Sequence, residues 1–446
     1  MNAKANLMTE GSIRKKLIGF AFPLFLGNLF QQLYNAVDSL IVGNFAGSNA
    51  LAAVSSAGNL IFLFVGFFNG ISMGAGVVIA RFIGAEDKKN TEIAVHTTVM
   101  LGLISSLLMT VVGVGLTPWI LKMMSTPDVV YGQSVMYFRV YFAGSLGFVM
   151  YNVFMGILQA SGDSKHPLYY LMFSSLINVV LDLILIAGFH MGVGAAAFAT
   201  VMSQLSSALL CLRRLMKVEA DYRIVFKKLG MTAKMTKRIL NFGLPSGLQN
   251  SIMAFSNVVI QSYINSFGEL AMAGIGAYVK VEGFMFIPVT SFCMAITTFV
   301  SQNVGAGKTD RMKKGVFFGA FCTLATAEVM GVLLFVFAEP LVRMFDTNPD
   351  VIFYGVERAH IVTLFFFMCA FTHFMSAVLR GIGKPMVPMY VFLFCWCVAR
   401  VLILTISSLY VHTIYMTYVV YPITWTISSV VLILYYLFLK KKETRA

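Results

Sequence analysis

Seven charged residues stand out inside long apolar runs of this 446-residue chain: Asp38, Asp182, Glu282 and Glu328 among the acids, Arg139, Lys280 and Arg400 among the bases. A charge in such a run is costly, so each is expected to be paired or to serve a function. In "NVVLDLILI" Asn178 precedes Asp182 by four residues, so amide and carboxyl share one helix face. Asp38 and Thr200 come from two other runs. A rise of about 1.5 Å per residue puts Asp38, Asp182 and Thr200 at similar depth. Two carboxyls, an amide and a hydroxyl make an oxygen-rich set. It suits a Na⁺ ion at Asp38, Asn178, Asp182 and Thr200, or a proton held between the two acids. Desolvation and a neighbouring like charge both favour proton uptake. The alternative is a static hydrogen-bond network that holds helices together.

The elements that carry these residues follow from composition. The chain is 58% hydrophobic and 12% charged, against roughly 25% charged residues in soluble domains. A bilayer core about 30 Å thick takes about 20 apolar residues per helix. Twelve runs qualify: 17–42, 52–80, 93–118, 135–160, 167–188, 192–212, 239–266, 271–302, 315–338, 358–380, 386–409 and 413–438. The polar, basic first sixteen residues lead into a span-length run, which predicts no cleavable leader. Of the 33 Lys and Arg, 27 fall at the N-terminus, in even-numbered loops or in the C-terminal tail. The opposite loops carry Lys122, Arg343 and Arg358. The positive-inside rule then puts both termini in the cytoplasm. The formal charge of +14 is explained by this topology, and no nucleic-acid partner is expected. The six cysteines show no CxxC spacing, so neither disulfide nor metal centre is predicted from them.

The two halves repeat. "FAFPLFLGN" at 20–28 matches "FGLPSGLQN" at 242–250, an offset of 222 that pairs Pro23 with Pro245. At an offset of 221, "ARFIGAEDKKN" matches "SQNVGAGKTDR" and "QASGDSKHP" matches "RGIGKPMVP". The expected fold is therefore all-α and integral to the membrane, with twelve transmembrane helices in two six-helix bundles. Parallel repeats of this kind are related by a pseudo-two-fold axis along the membrane normal. The predicted organisation is an N-terminal lobe at 1–212, a basic linker at 213–238 and a C-terminal lobe at 239–446. "GAGKT" at 305–309 lacks the first glycine of a phosphate-binding loop, because Gln302 stands there. With no nucleotide signature, no cofactor beyond a coupling ion is expected, and no enzymatic activity.

The first run is polar along its course, with Asn28, Gln31, Gln32, Asn35 and Asp38, and must face a cavity or protein. Pro23 removes a backbone hydrogen bond there and allows a kink. In the eighth run Lys280 and Glu282, two residues apart, point to different faces. Glu282 is expected to pair across helices, with Arg400 as the candidate partner. Gln32, Asn35, Glu282, Lys280 and Arg400 are the candidate cavity residues; for the last three the alternative is a buried salt bridge. Glu328 and Arg139 are weaker candidates.

With these residues in place the chain resembles the multidrug and toxic compound extrusion family. The resemblance rests on Pro23, Asn28, Asp38 and Gly43 in the first span, on "GAEDKKN", "QASGDSKHP", "NVVLD" and "GAAAFATVMSQ", and on the duplicated layout. It implies two six-helix lobes that open alternately to either side. It also implies export of amphipathic, often cationic compounds, driven by inward H⁺ or Na⁺. The residues matching the family's N-lobe ion site are Asp38, Asn178, Asp182 and Thr200. The acid that one branch carries in the seventh span is missing from "SIMAFSN" at 251–257, so a C-lobe cation site of that design is not expected. The expected setting is the inner (plasma) membrane, where a multi-pass monomer meets lipid and small organic substrates. A flippase for lipid-linked saccharides is the alternative. It is disfavoured because the four acids within spans nearly balance the three bases, whereas such a flippase needs a strongly cationic cavity.

Overall fold

The computed structural model describes residues 7–123, 126–411 and 413–445, which are helical with no strand among them. In chain order the helices are α1 (Ile13–Ile41), α2 (Ser48–Gly84), α3 (Lys88–Met123), α4 (Asp128–Ala143), α5 (Ser145–Ala160), α6 (Lys165–Asp182), α7 (Val193–Lys217) and α8 (Ala233–Asn265). They continue as α9 (Glu269–Gly305), α10 (Thr309–Val336), α11 (Ala338–Arg343), α12 (Pro349–Val362), α13 (Phe366–Gly381), α14 (Met386–Val391), α15 (Ala399–Tyr410) and α16 (Tyr415–Arg445).

Each of the twelve apolar runs forms helix. Among the described residues ten are long and apolar enough to cross a membrane, and α4 with α5 makes a further span bent by 48° at Gly144. α8, which carries the seventh run, is not among them: Asn, Gln and Ser interrupt it throughout, and Lys234, Lys237 and Arg238 crowd its first turns. Exposed Leu107, Leu108 and Val111 on α3, and Phe317 and Phe321 on α10, form apolar outer faces suited to lipid.

One boundary differs from expectation. The tenth span was expected to begin at 358, with Arg358 in a loop. It begins at Pro349, where Asn348 caps the helix by accepting the Asp350 N–H and proline occupies the first turn. Arg358 therefore lies within the span and is 1% exposed.

The turns carry the repeat into the backbone. Gly47 and Gly268 have φ of 91° and 96°, and Gly162 and Gly383 have φ of 89° and 91°. The third pair is Glu86 (φ 54°) and Gly307 (φ 67°). In each case the spacing is 221, so the second copy has glycine where the first strains a glutamate into the left-handed region.

By contact the chain divides into two compact units. The first comprises 1–11, 22–247 and 301–308; the second comprises 12–21, 248–300 and 309–446. The boundaries inside α1 and α8 fall close to Pro23 and Pro245, although α1 itself runs continuously through its proline. In the first unit the stretch 213–238 is docked. Ile224 is buried, the Val225 N–H donates to His96 Nε2 at 3.1 Å, and Lys228 pairs with Glu92. The N-terminal segment is docked as well: the Met8 N–H donates to Gln302 Oε1 at 2.8 Å, and Gln302 Nε2 donates to the Ala160 carbonyl at 2.8 Å.

Candidate ion-coupling site

In the first unit α1 and α6 each bring an acid into the protein interior. Asp38 lies one turn beyond Tyr34 on α1 and is 9% exposed. Asp182 ends α6 one turn beyond Asn178, and both are fully buried. A π-helical turn follows each acid closely, Val42–Ala46 after α1 and Leu183–Gly188 after α6. Such turns are rare and concentrate at functional positions, because they re-aim side chains that a regular helix would hold on one stripe.

The two carboxyl groups lie within hydrogen-bonding reach of each other. No N–H or O–H of another described residue meets Asp38 Oδ1, either Asp182 oxygen, or the Asn178 side chain. Two carboxyls in contact, with three of their four oxygens lacking any other donor, are suited to share a proton or a cation; two bare anions there would repel. The oxygens left over are hard ligands suited to H⁺ or Na⁺.

Thr200 is half-buried on α7, and its hydroxyl donates to the Ala196 carbonyl at 3.0 Å. Its lone pairs remain, but no hydrogen bond joins it to either acid among the described residues. Buried Tyr137 on α4 and Tyr34 on α1 are electrostatic neighbours of Asp38. Gln204, one turn after Thr200, donates from Nε2 to the Tyr34 hydroxyl at 3.4 Å. Gln32 and Asn35 are exposed on α1, and Pro23 is buried.

A family model described as MatE matches residues 23–184 and again residues 245–406. The chain belongs to the multidrug and toxic compound extrusion (MATE) family. The two matched segments begin at Pro23 and Pro245, the residues that open the internal repeat. Relatives include the probable multidrug resistance protein YoeA of Bacillus subtilis, 28% identical over 98% of this chain and 96% of that protein. Another is the probable multidrug resistance protein NorM of Thermotoga maritima, 27% identical over 86% of this chain and 83% of that one. A MATE protein crystallised in the bent conformation matches with a TM-score of 0.92 over 100% of both chains, at 22% identity. It shows the shared fold. The MATE relatives are multidrug efflux proteins, which leaves the flippase alternative without support.

In this MATE chain sequence reasoning missed Tyr34, Tyr137 and Gln204. Tyr34 and Gln204 carried a signal, being polar residues one turn from Asp38 and Thr200. Tyr137 carried none, since an aromatic residue in an apolar span is ordinarily packing. In the second unit the expected Glu282–Arg400 pair does not form. Among the described residues no carboxylate lies within 4.0 Å of Arg400, whose Nε donates instead to Thr424 Oγ1 at 3.0 Å. Half-buried Glu282 is in electrostatic range of both Arg400 and the unforeseen Arg358. Lys280 is exposed and lies over the Phe345 ring at 5.5 Å, on a different face of α9. Glu328 and Arg139 are exposed.

Proposed function

We propose that this MATE protein is an antiporter that exports amphipathic, often cationic organic compounds by alternating access, driven by inward H⁺ or Na⁺. Asp38 and Asp182 bind the ion, and Asn178 and Thr200 add neutral oxygens. It works in the plasma membrane with both termini cytoplasmic, as the distribution of basic residues supports. The observation that carries the reading is the buried contact between the two carboxyls, with oxygens that no other described residue satisfies.

The energetics suffice for coupling. At an effective dielectric constant of about 20, two unit charges about 4 Å apart repel by ~4 kcal/mol. That is comparable to the few kcal/mol separating conformers of a two-state protein. With an ion bound, α1 and α6 can keep their acids in contact; without it, repulsion favours an arrangement that separates them. The multidrug relatives support an organic substrate, and polar Gln32 and Asn35 on α1 supply groups for its recognition.

Dye export from cells or inverted vesicles tests the assignment. Asp38→Asn and Asp182→Asn should each cut export at least tenfold at wild-type expression. Wild-type rates for every responsive substrate in both variants would remove the two acids from the coupling. Imposing a Na⁺ gradient and then a pH gradient on proteoliposomes identifies the ion.

A further inference from the structure

The second unit holds a buried cluster of opposite character. Arg358 on α12 and Arg400 on α15 are each 1% exposed and lie over the same ring: their guanidinium carbons are 4.8 and 4.5 Å from the centroid of Tyr421 on α16. Arg358 also lies 5.3 Å from the Tyr278 ring and Arg400 4.6 Å from the Trp396 ring. Stacking engages the flat face of a guanidinium and leaves its in-plane N–H edge for other partners. Part of that edge has none. Arg358 Nε and Nη1, Arg400 Nη2 and the hydroxyl of fully buried Tyr278 lack a hydrogen-bond partner among the described residues. Glu282 supplies one negative charge nearby but forms no ion pair with either arginine within 4.0 Å. Two cations against one acid leave a net positive charge, and buried charges of this kind are ordinarily paired.

We infer that Arg358, Arg400 and the Tyr278 hydroxyl bind a compact monovalent anion, supplied either as a free halide or as the carboxylate of a carried molecule. Guanidinium N–H donors and a phenol O–H are the kinds of group that hold a small anion. The aromatic rings around both guanidinium groups restrict their movement beforehand, which lowers the ordering cost of binding. The anion restores neutrality to the cluster when Glu282 is charged. This site stands apart from the acid pair of the first unit and does not depend on the export reading.

Intrinsic fluorescence gives a direct test, because two of the chain's three tryptophans are at the cluster: the Trp396 ring centre is 4.6 Å from the Arg400 guanidinium carbon, and the Trp425 ring centre lies 6.3 Å from that of Trp396. Trp119 is exposed, so Trp119→Phe removes the remaining background. The purified full chain carrying that change is titrated with iodide in place of sulfate at constant ionic strength. The expected result is saturable quenching, displaced competitively by chloride or acetate and weakened at least tenfold by Arg358→Gln and by Arg400→Gln. Displacement by chloride alone assigns the site to free halide; stronger displacement by acetate assigns it to a carboxylate. Quenching that rises linearly without saturation, or saturation that neither competitor displaces, overturns the proposal. So does an unchanged titration in both arginine variants. The saturation and competition arms use no arginine substitution, so they decide the matter even if those variants fail to fold.

Discussion

At the scale of single residues, the acids divide by what surrounds them. Asp163, in the turn between α5 and α6, has its partners: His166 donates its backbone N–H at 3.2 Å and lies 2.7 Å from the carboxyl through Nδ1, and Arg214 is 4.0 Å away. Burial works against the charged Asp163 carboxylate, but the His166 hydrogen bonds and the Arg214 charge outweigh it and hold the pKa below the usual value. A depressed carboxyl stabilises the fold above its unfolded pKa of about 3.9, and the contribution is lost as pH falls through the lower folded value. Asp163→Asn should therefore cost about 1.5–3 kcal/mol at pH 7, the range for hydrogen bonds to a charged group. In thermal melts the gap to wild type should narrow below about pH 4. A gap of constant size across pH 3–7 would show that the charge is not what stabilises. Asp38 and Asp182 lack such partners and have each other instead, which separates a binding group from a structural one.

At the scale of elements, small residues set how closely helices approach. In the first unit a Cβ on Gly70 would lie 2.2 Å from the Gly247 nitrogen, and one on Gly74 would lie 2.3 Å from the Gly243 nitrogen. The spacing of four on both α2 and α8 gives a GxxxG stripe on each, and without side chains the backbones touch. Gly84 and Gly305, partners in the repeat, meet reciprocally: a Cβ on either would come within 2.0 Å of a carbonyl oxygen, of Gln302 and of Arg81 respectively. Backbone cannot yield as a side-chain tip can. Gly305→Ala should therefore destabilise by about 1–3 kcal/mol, the usual cost of overpacking, and reduce dye export. Gly115→Ala on α3, where a Cβ meets nothing within 4 Å, should leave both unchanged. Equal melting temperatures for the two variants would refute the close approach.

At the scale of the whole molecule, duplication kept the scaffold and varied the chemistry. Turns spaced by 221 repeat their backbone geometry, yet the repeat partners of Asn178 and Asp182 are Ala399 and Ile403, and the buried cations Arg358 and Arg400 belong to the second half. If the acids act as one unit, their losses are not additive. Asp38→Asn/Asp182→Asn should export no worse than the weaker single variant. A double variant at the product of the two single losses would mean that each acid acts alone.

The sequence by itself determined the all-helical fold, the apolar runs that form it and the repeat. Long apolar runs, turn glycines and a rise per residue are local properties, so they can be read along one chain. It could not say which faces of α1, α4, α6 and α7 meet, because contact depends on helix rotation, which packing fixes. Only the tertiary structure put the Asp38 and Asp182 carboxyls in contact and brought Tyr137 beside them. Packing also turned the Thr200 hydroxyl to its own helix and separated Arg400 from the acid expected to pair with it. The early start of α12 was legible in Asn348-Pro349, a cap and first-turn proline, but the apolar run begins later and masked it. Once that helix starts at Pro349, its pitch carries Arg358 into the interior beside Tyr278 and Tyr421, a placement decided by packing rather than by hydropathy.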